Sequence, residues 1–192
     1  VIALLIITFS CKENTAYKAR LEDPELFQSA MKQLSDVIVY DIFSPPVASR
    51  VYVYPSIAAY EIVAKANPQQ FESLAGQVTD LQAVPDPSDE KVNLNLAAIH
   101  AFLNVGQTLI FSEDRIEEFR IKLYEQLEDE GLPSNVRSAS EAYGEEVAKH
   151  ILEWSAGDMY KQTRTYPKYT VRSGTELWKP TPPDYMEGIE PH

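Results

Sequence analysis

The sequence holds one cysteine, Cys11, among 192 residues, so no internal disulfide framework staples it together. It holds three histidines, His100, His150 and His192. No Glu-x-x-His, no His-Glu-x-x-His and no Cys/His pair accompanies them, which leaves no recognisable metal site. Basic charge is scarce: 17 Lys and Arg stand against 29 Asp and Glu, a formal net charge of −12. Nucleic acid is therefore excluded as a partner, because phosphate binding needs a basic surface. There is no glycine-rich phosphate loop, no Gly-x-Ser-x-Gly elbow, no internal repeat and little period-two alternation. Long hydrophobic runs are also missing. VIALLIITFS, residues 1–10, is apolar and uncharged but too short to span a bilayer.

What remains is an ordinary globular composition, 44% hydrophobic and 24% charged, in a chain long enough for one domain with a sizeable core. Its apolar residues recur at helical spacing. Leu26, Phe27, Ala30, Leu34, Val37 and Ile38 make one face, with Asp23 placed to cap and Pro24 at the first helical position. Ser44-Pro45-Pro46 ends that helix and starts the next, with Ser44 as cap, which Asn67-Pro68 stops. A short helix is expected over 68–75 and a proline- and acid-rich loop over 82–90. Helices follow over 91–111, from Ser112 to a Gly131 cap, and from Pro133 to Gly157. The expected fold is an all-α helical bundle of about five or six helices over residues 24–158, followed by an extended Pro-rich C-terminal arm over 159–192. In that arm Lys161, Arg164, Lys168, Arg172 and Lys179 interleave with Tyr160, Tyr166 and Tyr169. It reads as an ordered arm lying on an acidic bundle.

The segment DIFSPPVASRVYVYPSIAAYE, residues 41–61, is apolar on nearly every side of a helix. Such a helix is buried in a bundle or in a membrane. Arg50 and Glu61 interrupt it, so burial in a bundle is the expectation. Pro55 frees the carbonyl of Val51. Arg50 and Glu61 are too far apart to pair, and each needs a partner on another helix. Asp41 is one candidate for Arg50.

The N-terminal stretch has the character of a secretory h-region. Ser10 and then Cys11 follow it, as in a bacterial lipoprotein signal. Residues 1–11 are thus expected to be a lipoprotein-type signal segment with Cys11 as the lipidation site, and residues 12–23 a tether. The location implied is export, periplasmic or anchored to the outer membrane of a Gram-negative cell, with a lipid anchor through Cys11. Elsewhere the chemistry is thin. His100 lies in an apolar helix, and His150, beside Lys149, is four residues from Glu146. No catalytic, cofactor-binding or metal residue can be singled out.

The segment 41–61 resembles the N-terminal helical region of bacterial vanadium-dependent haloperoxidases, within the type 2 phosphatidic acid phosphatase superfamily. The resemblance rests on a Ser-Pro-Pro-x-x-x-Arg turn (Ser44, Pro45, Pro46, Arg50) and an Ala-Tyr-Glu helix end (Ala59, Tyr60, Glu61). It continues through Gly144, Ala148, Ile151, Trp154 and Asp158, then Trp178 to Pro183, then Glu190-Pro191. It covers about residues 24–192, taken in order.

The resemblance implies a longer enzyme whose vanadate or phosphate site lies in a second helical half. There Lys-x(6)-Arg-Pro, Pro-Ser-Gly-His and Ser-Arg-x(5)-His hold the oxyanion, and none of these occurs in this sequence. The implied role is the N-terminal, non-catalytic half of an exported enzyme that oxidises halide with peroxide or hydrolyses phosphate esters. Vanadate would be held by the missing half, which is also the implied partner. Homo-oligomerisation is compatible with the sequence. The rival reading is a non-enzymatic α-helical surface lipoprotein that binds a glycan or peptide on a Tyr/Trp platform.

Overall fold

The computed structural model describes residues 14–167, 170–183 and 185. Cys11, His192 and Glu190-Pro191 lie outside the described residues. Among those described there are seven helices: α1 (Ala16–Glu22), α2 (Pro24–Tyr40), α3 (Pro45–Ala66), α4 (Leu94–Thr108), α5 (Glu113–Asp129), α6 (Ser134–Ser155) and α7 (Tyr160–Thr163). The fold is an all-α bundle, as the periodicity implies.

α4 is the hub. Every residue from Leu96 to Leu103 is buried, the signature of a central helix. α3 and α6 pack closely along it, and α2 and α5 cover its other flank. Phe102 of α4 meets Phe27 of α2 edge-on at 5.1 Å between ring centroids. Gly144 of α6 lets the backbones of α4 and α6 approach: a Cβ there would sit 2.7 Å from the Ala97 carbonyl oxygen.

Two helix ends solve the same problem with different residues. At the end of α5 the Leu132 N–H donates to Leu127 O and the Gly131 N–H to Glu128 O. The residue between must be left-handed, and Gly131 has φ +93, as a glycine cap should. Asn14 O would lie 1.9 Å from any Cβ at this position, so α1 docks because Gly131 has none. At the end of α2 the same pattern joins Phe43 N–H to Ile38 O and Ile42 N–H to Val39 O. Here Ile42, a β-branched residue, takes the left-handed position at φ 54 and stands 88% exposed. That conformation costs about 1–2 kcal/mol for a non-glycine residue.

Several sequence expectations need correction. Residues 12–23 are not all tether: α1 forms there, burying Tyr17 and Leu21, a single i,i+4 apolar pair too short to stand out in the sequence. Residues 68–75 are not helical but a turn and extended segment. The buried Glu61 carboxylate takes the Ser73 hydroxyl and the Leu74 N–H (2.6 and 2.7 Å), which holds this stretch extended. Asp23 caps α2 through the Glu25 N–H at 2.9 Å. Ser44 occupies the cap position of α3, yet its hydroxyl is buried with no hydrogen bond. Pro45 and Pro46 fill the first turn, so the second helical position offers no N–H to accept.

The segment 67–93 is strapped across α3 and α6. Its own Leu81 and Val84 are buried. Lys65 pairs with Asp86 at 2.5 Å. Tyr143 Oη donates to Pro85 O, His150 Nε2 to Gln82 O and Trp154 Nε1 to Thr79 O, each at 3.0 Å. No described helix is long and apolar enough to cross a membrane.

Candidate functional site

Two clusters carry most of the bundle's polar chemistry. The first joins the sequence motifs around Arg50 and Asp158. Arg50 Nε lies 2.5 Å from Asp158 Oδ2, and Tyr54 Oη donates to the same oxygen at 3.0 Å. The other carboxylate oxygen, Oδ1, accepts the Tyr160 N–H at 2.9 Å. The Arg50 guanidinium carbon stands 5.1 Å from the Tyr54 ring centroid and 4.6 Å from that of Tyr160. Trp154 meets Tyr54 edge-on at 5.3 Å. These residues line a cleft of about 530 Å³.

Burial pushes the Asp158 carboxyl up. The Arg50 hydrogen bond, the Tyr160 N–H, the Arg50 charge and the Tyr54 hydroxyl outweigh it and leave the carboxyl below its ordinary range. Burial, together with the hydrogen bond and charge of Asp158, pushes the Tyr54 hydroxyl up to about 12. Both carboxylate oxygens of Asp158 are therefore engaged. The cluster works as a joint between α3, the end of α6 and α7, where the arm begins.

Asp41 is not the partner of Arg50. It accepts the Phe111 N–H (2.9 Å), the Ser112 N–H (3.1 Å) and the Ser112 hydroxyl (2.5 Å), tying the α2–α3 turn to the start of α5. Glu61 likewise finds its donors in the following loop rather than on another helix.

The second cluster lies in an open groove of about 1320 Å³ along α4, α5 and α6. His100, 8% exposed, shares a 2.7 Å hydrogen bond with Tyr124 Oη through Nδ1. Arg137 lies over the Tyr124 ring, its guanidinium carbon 4.3 Å from the centroid. Burial, reinforced by the charges of Arg120 and Arg137, lowers the His100 pKa to about 4 despite Glu117. Burial and the Glu141 charge raise that of Tyr124. His100 was legible only as a helix-face histidine. Nothing in the sequence set Tyr124, Arg120 and Arg137 apart from residues of a solvated face.

A histidine flanked by two arginines resembles the ingredients of an oxyanion site, and the groove can be tested as one. Arg120 is held by Glu117, Asn104 and Gln107, and Arg137 by Glu128 and Glu141. Glu113, Glu145, Glu146 and Glu153 line the same groove. An oxyanion would have to displace carboxylates from both guanidiniums and face four more, while the imidazole stays neutral. These residues do not fit vanadate or phosphate. Among the described residues no group of three or more His, Cys, Asp or Glu is placed to hold a metal ion.

The bundle has the fold of a vanadium-haloperoxidase-like region. It is similar to a solved bacterial vanadium-dependent iodoperoxidase, at 46% sequence identity over 86% of this chain, with a TM-score of 0.77. The chain spans 40% of the length of that iodoperoxidase. No family model and no curated protein sequence matches the chain.

Proposed function

We propose that this chain is the N-terminal, non-catalytic helical part of an exported vanadium-dependent haloperoxidase-like enzyme. The observation that carries this reading is the 46% identity to the iodoperoxidase over 86% of the chain, together with a polar groove unsuited to an oxyanion. The longer protein would oxidise halide with peroxide at bound vanadate, or hydrolyse phosphate esters in the same kind of pocket. This part supplies a rigid bundle and, through the Arg50–Asp158 joint, fixes where the arm leaves it. Export and a lipid anchor at Cys11 are part of the proposal and rest on VIALLIITFS and the cysteine that follows Ser10.

The test is a halide-oxidation assay on the longer protein, with hydrogen peroxide, iodide or bromide, and vanadate added or withheld, run beside a phosphate-release assay on a phosphate monoester. Vanadate-dependent turnover by the longer protein, with none by residues 14–192, is the expected result. Absence of both halide oxidation and phosphate release from the longer protein would overturn it.

A further inference from the structure

Helices joined by a short turn usually pack against each other as a hairpin. α2 and α3 are joined by residues 41–44, yet they do not pack side by side. α3 lies on α4 and α6, whereas α2 lies on α5, α4 and α1. The space left between them is a trough of about 600 Å³.

The trough has the shape and chemistry of a helix seat. Phe27 and Met31, one turn apart on α2, form one wall. Tyr52, Ser56, Tyr60 and Val63 run along α3 at i, i+4, i+8 and i+11, a strip of about three turns. Ser56 is a low point between two tyrosines, and its hydroxyl is spent on the Tyr52 carbonyl at 2.7 Å. Tyr60 Oη is spent on Glu72 O at 2.8 Å. Among the described residues no charged side chain lines the trough. Met31, Tyr52 and Val53 stand exposed at its rim, although a helix as apolar as α3 is normally covered.

Resting on the reading above, we propose that the α2–α3 trough is the seat of an amphipathic helix from the remaining part of the enzyme. That helix would place apolar side chains at i, i+3/i+4 and i+7 over the Ser56 hole. The length ratio supports this occupant: the chain spans only 40% of the iodoperoxidase, so most of such an enzyme lies outside the bundle. A second copy of this chain is a poorer fit. A two-fold interface needs a self-complementary patch, and two facing troughs would enclose a void. A charged ligand is unsuited to a lining without a charge.

Ser56→Cys, in a Cys11→Ser background, reads the trough directly. It is nearly isosteric and adds no charge. Ser138→Cys, on the exposed face of α6, is the control. Maleimide labelling is compared between the 192-residue chain and the longer protein. The expected result is a thiol at position 56 that labels readily in the short chain and about tenfold or more slowly in the longer protein. The control thiol at position 138 should label equally in both. Equal labelling at position 56 in both, by a longer protein that still oxidises halide, would overturn the seat while leaving the functional reading intact. Protection in the short chain, with sedimentation as a dimer, would overturn it in favour of a second copy. Protection of the short chain only with phospholipid vesicles would overturn it in favour of a lipid surface.

Discussion

Arg50 and Asp158, 108 residues apart, meet at 2.5 Å, with Tyr54 on the same carboxylate oxygen. Their side chains are 17% and 22% exposed, so water screens the pair only in part. Two of the segments that carry the family resemblance, around Arg50 and Asp158, thus meet in space. Removing either charge strands the other against aromatic rings. Arg50→Ala or Asp158→Ala is expected to cost about 2–3 kcal/mol, measured by urea denaturation. Arg50→Lys should recover little, because a single ammonium cannot both pair with Asp158 and lie flat on two tyrosines. The Asp158 pKa is lowered in the fold. Its contribution is therefore present above the ordinary carboxylate pKa and lost as pH falls through the folded value.

His100 predicts a second pH dependence, in a different window. Its pKa falls from 6.5 to about 4 on folding, so the unfolded chain takes up a proton before the folded chain does. Stability should decline as pH falls from about 6.5 to about 4, by on the order of 3 kcal/mol. His100→Gln should flatten that part of a stability-against-pH curve. An equal slope in the variant would show that other groups cause it.

Glu61 is 2% exposed and has donors rather than a counter-ion. Glu61→Ala leaves the Ser73 hydroxyl and the Leu74 N–H without their acceptor. A loss of about 2–4 kcal/mol is expected. Because Glu61 anchors the start of the 67–93 strap, faster proteolysis within that strap should accompany it. Glu61→Gln keeps an acceptor oxygen and should lose less.

Gly144→Ala tests the α4–α6 approach. The added Cβ would meet the Ala97 carbonyl at 2.7 Å and His100 Cβ at 3.0 Å. Backbone cannot swing aside as a side chain can, so the helices must separate. A cost of about 1–3 kcal/mol is expected by thermal denaturation, against the usual gain from alanine in a helix.

Ile42→Gly should do the reverse. Ile42 holds a left-handed turn at φ 54 where glycine carries no steric penalty. A gain of up to about 1 kcal/mol is expected, because relief of strain exceeds the entropy that glycine adds to the unfolded chain. A loss on substitution would show that the exposed isoleucine packs on something in solution.

Much of this was legible from spacing. The Asp23 cap, the Gly131 cap and the faces of α2 and α5 follow local rules that act over one or two turns. What spacing could not show was long-range pairing. Asp41 sits in the right place to meet Arg50, but the Phe111 and Ser112 donors reach it from the α4–α5 turn, far along the chain. The apolar surround of α3 correctly implied a covered helix, yet periodicity does not say by what. The bundle covers the faces toward α4 and α6 and leaves Tyr52 and Val53 open. The polar groove was invisible for the same reason: its arginines and glutamates come from helices that only the fold brings together.

The central claim is that all oxyanion chemistry lies outside this chain. Titration of orthovanadate into the isolated 192-residue chain, followed by calorimetry at neutral pH, tests it most directly. The account predicts no saturable binding. Saturable, stoichiometric binding that His100→Gln or Arg120→Gln abolishes would place an oxyanion site in the α4–α5–α6 groove and contradict it.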